Sequence, residues 1–173
     1  MEENERKEEE IIIADTAPII SLLKIGRLSL LQKLFGSIVI PQSVFNELVC
    51  DNRFKDEGQQ IRNASYISVV ELKNEQLVSL LRRSAGLDLG ESEAILLADT
   101  YKYSLLLIDE FKGRQVAQQM GIKLMGTVGI LMYAYSEQVL TKQEIYDCID
   151  ILKVTARRIS DKLFQQLIDY LNK

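Results

Sequence analysis

Histidine is absent from all 173 residues, so any catalysis here runs without imidazole as acid, base or ligand. Two cysteines, Cys50 and Cys148, are too few for a disulfide framework or a zinc site. No apolar run approaches the roughly 18 residues of a membrane span. The charged start, Met1 to Glu10, is not a secretory leader, and a soluble cytoplasmic protein with no membrane partner is expected. Glycine-rich dinucleotide fingerprints are missing, and Gly126-Thr127-Val128-Gly129 is too short for a phosphate loop. No repeat or long linker divides the chain.

Charge is unevenly distributed. Met1 to Glu10 carries six Glu against one Arg and one Lys, which accounts for the whole net charge of −4. The body, Ile11 to Lys173, holds 19 residues of each sign and is neutral. The expectation is a disordered acidic tail over residues 1–10 and one domain over residues 11–173. A neutral body excludes a broad nucleic-acid-binding face but not a local basic rim.

Short apolar runs alternate with helical patterns. Ile11 to Ala14, Ser37 to Ile40 and Leu105 to Ile108 predict strands buried on both faces. Tyr66 to Val70 predicts an edge strand and Ile122 to Leu124 a further short one. Helices are expected from Pro18 to Ile25, Leu28 to Leu34, Pro41 to Val49, Glu75 to Arg83, Glu91 to Tyr101, Phe111 to Met120 and Val128 to Tyr135. Asp51 to Asn63 reads as loop and exposed helix, and Ser84 to Gly90 as loop. Two amphipathic helices, Thr141 to Lys153 and Ser160 to Leu171, fill residues 139–173. This alternation is that of an α/β fold, a mostly parallel sheet of four or five strands with helices on both sides.

Four carboxylates stand where strands end or helices begin: Asp15, Glu47, Glu93 and Asp109. Ligands bind open α/β sheets beyond the carboxyl ends of the strands, where the chain order reverses. Acids gathered there repel one another and call for a divalent cation. Each also has a structural reading: Asp15 and Asp109 as helix caps, Glu47 on a solvated face, Glu93 offsetting a helix N-terminus. Asp88 and Glu91 have capping-box spacing. Glu91 and Glu93 point about 200° apart on a helix, so one of them enters the crevice, and Glu93 is the expected one.

The segments Ile13-Ala14-Asp15-Thr16-Ala17-Pro18-Ile19-Ile20, Ile40-Pro41-Gln42-Ser43-Val44-Phe45-Asn46-Glu47-Leu48, Leu89-Gly90-Glu91-Ser92-Glu93-Ala94-Ile95 and Leu107-Ile108-Asp109-Glu110, with Gly121-Ile122 and Gly126-Thr127-Val128-Gly129 downstream, resemble those of the PIN-domain nucleases. The closest likeness is to a prokaryotic, VapC-type toxin-related branch of that family. The resemblance spans about Ile11 to Tyr135. It implies a three-layer α/β/α fold and a Mg²⁺- or Mn²⁺-dependent endoribonuclease whose metal sits among Asp15, Glu47, Glu93 and Asp109. Thr16 matches a hydroxyl that orients this cluster. A shift of one residue makes Glu110 the fourth ligand instead of Asp109. The better-known toxins usually carry Asp where Glu93 stands, and the branch usually carries Ala in place of Gly113. Implied partners are RNA, an antitoxin protein and a second copy of the chain, with the last helix the expected dimer element.

For RNA, Lys112 and Arg114 are the expected contacts, with Lys102, Lys123, Arg82-Arg83 and Arg157-Arg158 as further cations of a rim. Of Tyr101, Tyr103 and Phe111, two are expected in the core and one free to stack on bases. Other functions with an acid after the first strand fit less well. A haloacid-dehalogenase-like phosphatase needs a second Asp two residues after the first, where Ala17 stands. A receiver domain needs an acid after a middle strand, and the second strand runs into Pro41. The alternative within the same fold is a catalytically weak module that binds RNA or protein.

Overall fold

The computed structural model describes residues 9–50, 55–156 and 158–173. The expected tail over residues 1–8, the polar stretch at 51–54 and Arg157 lie outside the described residues.

Five strands form one wholly parallel sheet: β1 (Ile11–Ala14), β2 (Ile38–Pro41), β3 (Ile67–Val70), β4 (Ser104–Leu107) and β5 (Lys123–Met125), in the order β3-β2-β1-β4-β5. The middle strands are short because they are buried on both faces and need only apolar, mostly branched residues: Ile13, Ala14, Leu106 and Leu107 are fully inaccessible. Period-two alternation divides the core into two layers. Ile12, Ala14, Ile38, Ile40, Leu105 and Leu107 face one set of helices, while Ile13, Leu106 and Ile108 face the other.

The first helical layer contains α1 (Thr16–Lys24), α2 (Leu30–Phe35), α3 (Gln42–Cys50), α4 (Lys55–Asn63), α8 (Thr127–Ser136), α9 (Lys142–Thr155) and α10 (Asp161–Leu171). The second contains α5 (Glu75–Ala85), α6 (Leu89–Asp99) and α7 (Phe111–Gln119). The fold is the expected three-layer α/β/α arrangement.

Several boundaries moved for local reasons. Helix α1 starts directly after Asp15, with Pro18 inside its first turn, where a missing N–H costs nothing. Helix α5 runs on to Ala85 and stops at Gly86, whose left-handed φ of 66° lets its N–H reach the Arg82 carbonyl. Helix α6 begins at Leu89, so the expected Ser84–Gly90 loop shrinks to its middle. Strand β5 lies one residue later than its apolar pattern suggested.

The last two helices belong to the core. Helix α9 opens with a Thr141–Glu144 capping box and buries Ile145, Cys148, Ile149 and Leu152. Helix α10 buries Phe164, Leu167 and Leu171 against it and α8. Most of the apolar face on which a second copy was expected to pair therefore packs inside the chain, while Leu163 stays exposed. Truncating Phe164, 2% exposed, to Ala should cost about 3–5 kcal/mol. The check is a lower urea midpoint than that of the wild type at the same protein concentration.

Candidate active site

Strands β1 and β4 lie side by side in register, Ala14 opposite Leu107. From β1 the chain steps outward to β2 and β3, and from β4 it steps the other way to β5, so the order reverses between them. Asp15 and Asp109 both leave the sheet at this reversal, and the Asp15 N–H extends the ladder to the Leu107 carbonyl at 2.9 Å. A crevice of about 320 Å³ opens there, lined by Asp15, Thr16, Glu47, Asp88, Asp109 and, from the far side, Arg158.

Asp15 is 3% exposed. It holds the N-cap position of α1, yet its side chain makes no capping hydrogen bond, so the structural reading does not account for its burial. Loss of solvent pushes its carboxyl up from 3.8 to about 7. The Thr16 backbone opposes that rise, while Asp88, Glu91 and Glu47 reinforce it. The charges that weigh most on Asp15, those of Asp88, Glu91 and Glu47, are all negative.

Glu47 is exposed at its outer side but oriented: the Thr16 hydroxyl donates to its Oε2 at 2.8 Å. Thr16, expected to orient the cluster, thus fixes the direction of the Glu47 carboxylate. Asp15 and Glu47 converge on Gly90. A Cβ at that position would lie 3.5 Å from Asp15 Oδ1 and 3.5 Å from Glu47 Oε2. A side chain at residue 90 would stand in van der Waals contact with both carboxylates.

Asp109 lines the crevice and is also a clamp. Its Oδ1 accepts from the Thr127 N–H at 2.7 Å and its Oδ2 from the Thr127 hydroxyl at 2.6 Å. It therefore ties β4 to the start of α8 rather than capping α7. Burial raises its carboxyl above the ordinary range, against the Thr127 bonds and the Arg114 and Arg158 charges. Glu110, the alternative fourth ligand, points its carboxylate at Arg158, 3.3 Å away.

Glu93 is not brought to this group. Its Oε2 accepts from the Ser43 N–H at 3.3 Å and from the Ser43 hydroxyl, at the start of α3. Glu91 is the acid of α6 that turns inward, 5% exposed. The capping box is formed: Asp88 Oδ1 accepts from the Glu91 N–H at 2.8 Å, and Glu91 Oε2 accepts from the Asp88 N–H at 3.0 Å. That pair also acts electrostatically on Asp15. Desolvation raises the Glu91 carboxyl as well. Asp88 and Glu91 were expected only as caps, and Thr127 not at all. The signal in the sequence was that the capped helix starts at the same sheet edge as Asp15. Among the described residues, no three acidic side chains are drawn tightly enough together to form a ready-made metal cage.

The expected basic rim disperses. Arg114 donates to the Ile108 carbonyl at 2.7 Å and so braces the turn that carries Asp109. Lys112 reaches towards Gly86, its Nζ 3.7 Å from where a Cβ there would stand, and is not among the residues lining the crevice. Lys123 pairs with Glu10 at 2.8 Å, and Lys102 lies over the Tyr103 ring, both at the amino edge of the sheet. Tyr101, Tyr103 and Phe111 are all exposed, against the expectation that two are core, and only Phe111 stands near the crevice. Arg158 is the cation that lines it together with Lys24, whose Nζ donates to the Thr155 carbonyl at 2.9 Å.

A family model described as DUF3368: PIN domain matches residues 11–173. No curated protein and no solved structure matches the chain.

The buried acids set a pH dependence. Folded Asp15 keeps its proton up to about pH 7, whereas the unfolded chain releases it near 3.8. Between these values the folded state binds more protons, so stability is full below the lower value and falls as pH rises through the upper one. The span corresponds to roughly 4 kcal/mol. In chelator, the melting temperature should drop by several degrees from pH 5 to pH 8, and Asp15→Asn should flatten the profile.

Proposed function

The chain belongs to the PIN-domain family, a nuclease-type fold, and from that premise we propose that it is a divalent-metal-dependent endoribonuclease acting in the crevice beyond β1 and β4. The observation that carries this reading is Asp15: a buried carboxylate at the topological switch point, on which the charges of Asp88, Glu91 and Glu47 all act to disfavour ionisation. A cation beside such a buried acid favours its carboxylate form.

The donors suit Mg²⁺ or Mn²⁺. They are all hard oxygens, and Gly90 leaves the gap between Asp15 and Glu47 unfilled. Asp15, Glu47 and Asp109 would hold the ion, with Glu91 behind them in the place first expected of Glu93. Bound there, the ion supplies a more acidic water and neutralises charge on the attacked phosphate. The chain's own residues do the rest. Thr16 fixes the Glu47 carboxylate, and Thr127 and Arg114 fix the turn bearing Asp109. Asp15 surrenders its proton when positive charge arrives and so becomes a ligand near neutral pH. Arg158 faces the crevice from across its mouth and can receive a phosphate. Cleavage leaving a 5′-phosphate and a 3′-hydroxyl, a toxin role restrained by an antitoxin, and a homodimeric state belong to the same proposal. They rest on the family resemblance.

A second reading, a PIN-like module that binds RNA or protein with little hydrolysis, draws on two facts. Both Asp109 oxygens are engaged by Thr127, and Glu93 is engaged by Ser43. Labelled RNA incubated with Mn²⁺ separates the two. The nuclease cuts only with metal, and Asp15→Asn abolishes the cut. Intact RNA, or equal cutting by the variant, would favour the binding module.

The acids of α6 can be told apart in the same assay. Glu91→Gln keeps the capping box but removes a charge, and should lower the rate about 10–100-fold. Glu93→Gln should leave the rate within a few-fold and cost about 1 kcal/mol of stability through the weakened Ser43 contact.

A further inference from the structure

The acidic crevice does not end at Asp109. It runs into a second groove of about 700 Å³, and the two share Asp109, Arg158 and Ile159 as common walls. This groove lies between the start of α7, the edge strand β5, α8 and the first half of α10. Its apolar lining comes from Phe111, Met125, Val128, Met132 and Leu163. Its volume is that of a small-molecule site.

Two features show what it suits. Phe111 is 69% exposed, so its ring stands at the surface where it lines the groove. Leu163, which lines the same groove, is 40% exposed, whereas Phe164, Leu167 and Leu171 of its helix are buried. An aromatic face and aliphatic walls receive a planar ring. The cations stand where the two compartments meet. Arg158 pairs with Glu110 at 3.3 Å there, its side chain 57% exposed, and Arg114 lines the same mouth. An apolar slot continuous with a phosphate-cutting crevice, with a guanidinium at the junction, matches the repeat of a nucleic-acid strand: phosphate, then base.

We propose that this groove is a base-binding subsite. The nucleotide next to the scissile phosphate seats its base against Phe111, between Met132 and Leu163, while Arg158 contacts the adjoining phosphate. The base must be unpaired to enter, because stacking on a side chain requires its face. Helix α10 thereby shapes which nucleotide is accepted as well as completing the core. The inference rests on the nuclease reading and adds the determinant of sequence preference.

The test is fluorescence anisotropy in chelator, so that nothing is cut. Two labelled probes of equal length are used: a ten-nucleotide RNA of mixed sequence and an abasic ribose-phosphate decamer. Phe111→Ala should weaken binding of the base-bearing probe about tenfold and leave the abasic probe unchanged. Phe111→Trp should restore it. Arg158→Ala should weaken both probes alike. Because Phe111 and Arg158 are exposed, melting temperatures should match the wild type and exclude misfolding as the cause. Equal binding of the base-bearing probe by wild type and Phe111→Ala overturns the proposal. So does an equal loss with the abasic probe, and a groove reserved for a protein partner would give the first of these results. Metal-dependent cleavage that is lost in Asp15→Asn is read separately. If cleavage persists while base dependence is absent, the subsite falls and the nuclease stands. If wild type binds neither probe, both fall.

Discussion

The pairing of β1 with β4 is the constraint on which the site depends. These strands are adjacent, almost wholly apolar and in register, so the residues that follow them emerge together. Asp15 follows β1 directly, and Asp109 follows β4 after Ile108. The chain steps away from this seam in opposite directions, which leaves a gap between crossover helices and a crevice above it. Asp15 is carried into that crevice by the ladder itself, through its N–H on Leu107, and its carboxyl loses solvent as a consequence. The cost of that desolvation is set by the fold. On the proposed reading a bound cation would offset it and so couple metal binding to stability and to pH.

Helix N-termini converge on the same edge. Helices α1, α6 and α8 all begin there, and each presents the positive end of its dipole. That field tempers the repulsion among the acids. It also competes for them. Asp109 is bound by Thr127 at the start of α8, and Glu93 by Ser43 at the start of α3. Asp88 and Glu91 bind each other's backbone at the start of α6. Capping and ligation are not exclusive here. Glu91 uses Oε2 for the Asp88 N–H and remains an inward-facing acid whose charge reaches Asp15.

The C-terminal segment gives the crevice its far wall. Helix α9 is fastened to the first layer at both ends. Arg27 pairs with Glu144 at 3.0 Å, and Lys24 reaches the Thr155 carbonyl. The turn after α9 is thereby held over the acids and brings Arg158 to them. Helix α10 then returns along α8, burying its aromatic and leucine stripe. The family match extends over this whole region, well past the segments that carry the motif likeness.

Much of this was written in local patterns. Four-residue apolar runs ending in Asp identify β1 and β4, because a strand buried on both faces cannot be polar. The Asp88–Glu91 spacing identifies the start of α6, because the capping box is a contact between near neighbours in the chain. Order and spacing of the acidic segments were enough for the family, and Thr16 for the orientation of Glu47. Contacts between distant segments were decided only by the tertiary structure. Which face of α6 turns inward, which hydroxyl holds Asp109, and which arginine reaches the crevice depend on how helices remote in sequence meet at one edge. A periodicity of 3.6 states that Glu91 and Glu93 oppose each other, but the packing of α6 against β1, α3 and α7 selects between them. Side-chain direction at a sheet edge is a property of neighbours, and neighbours are what a linear pattern leaves open.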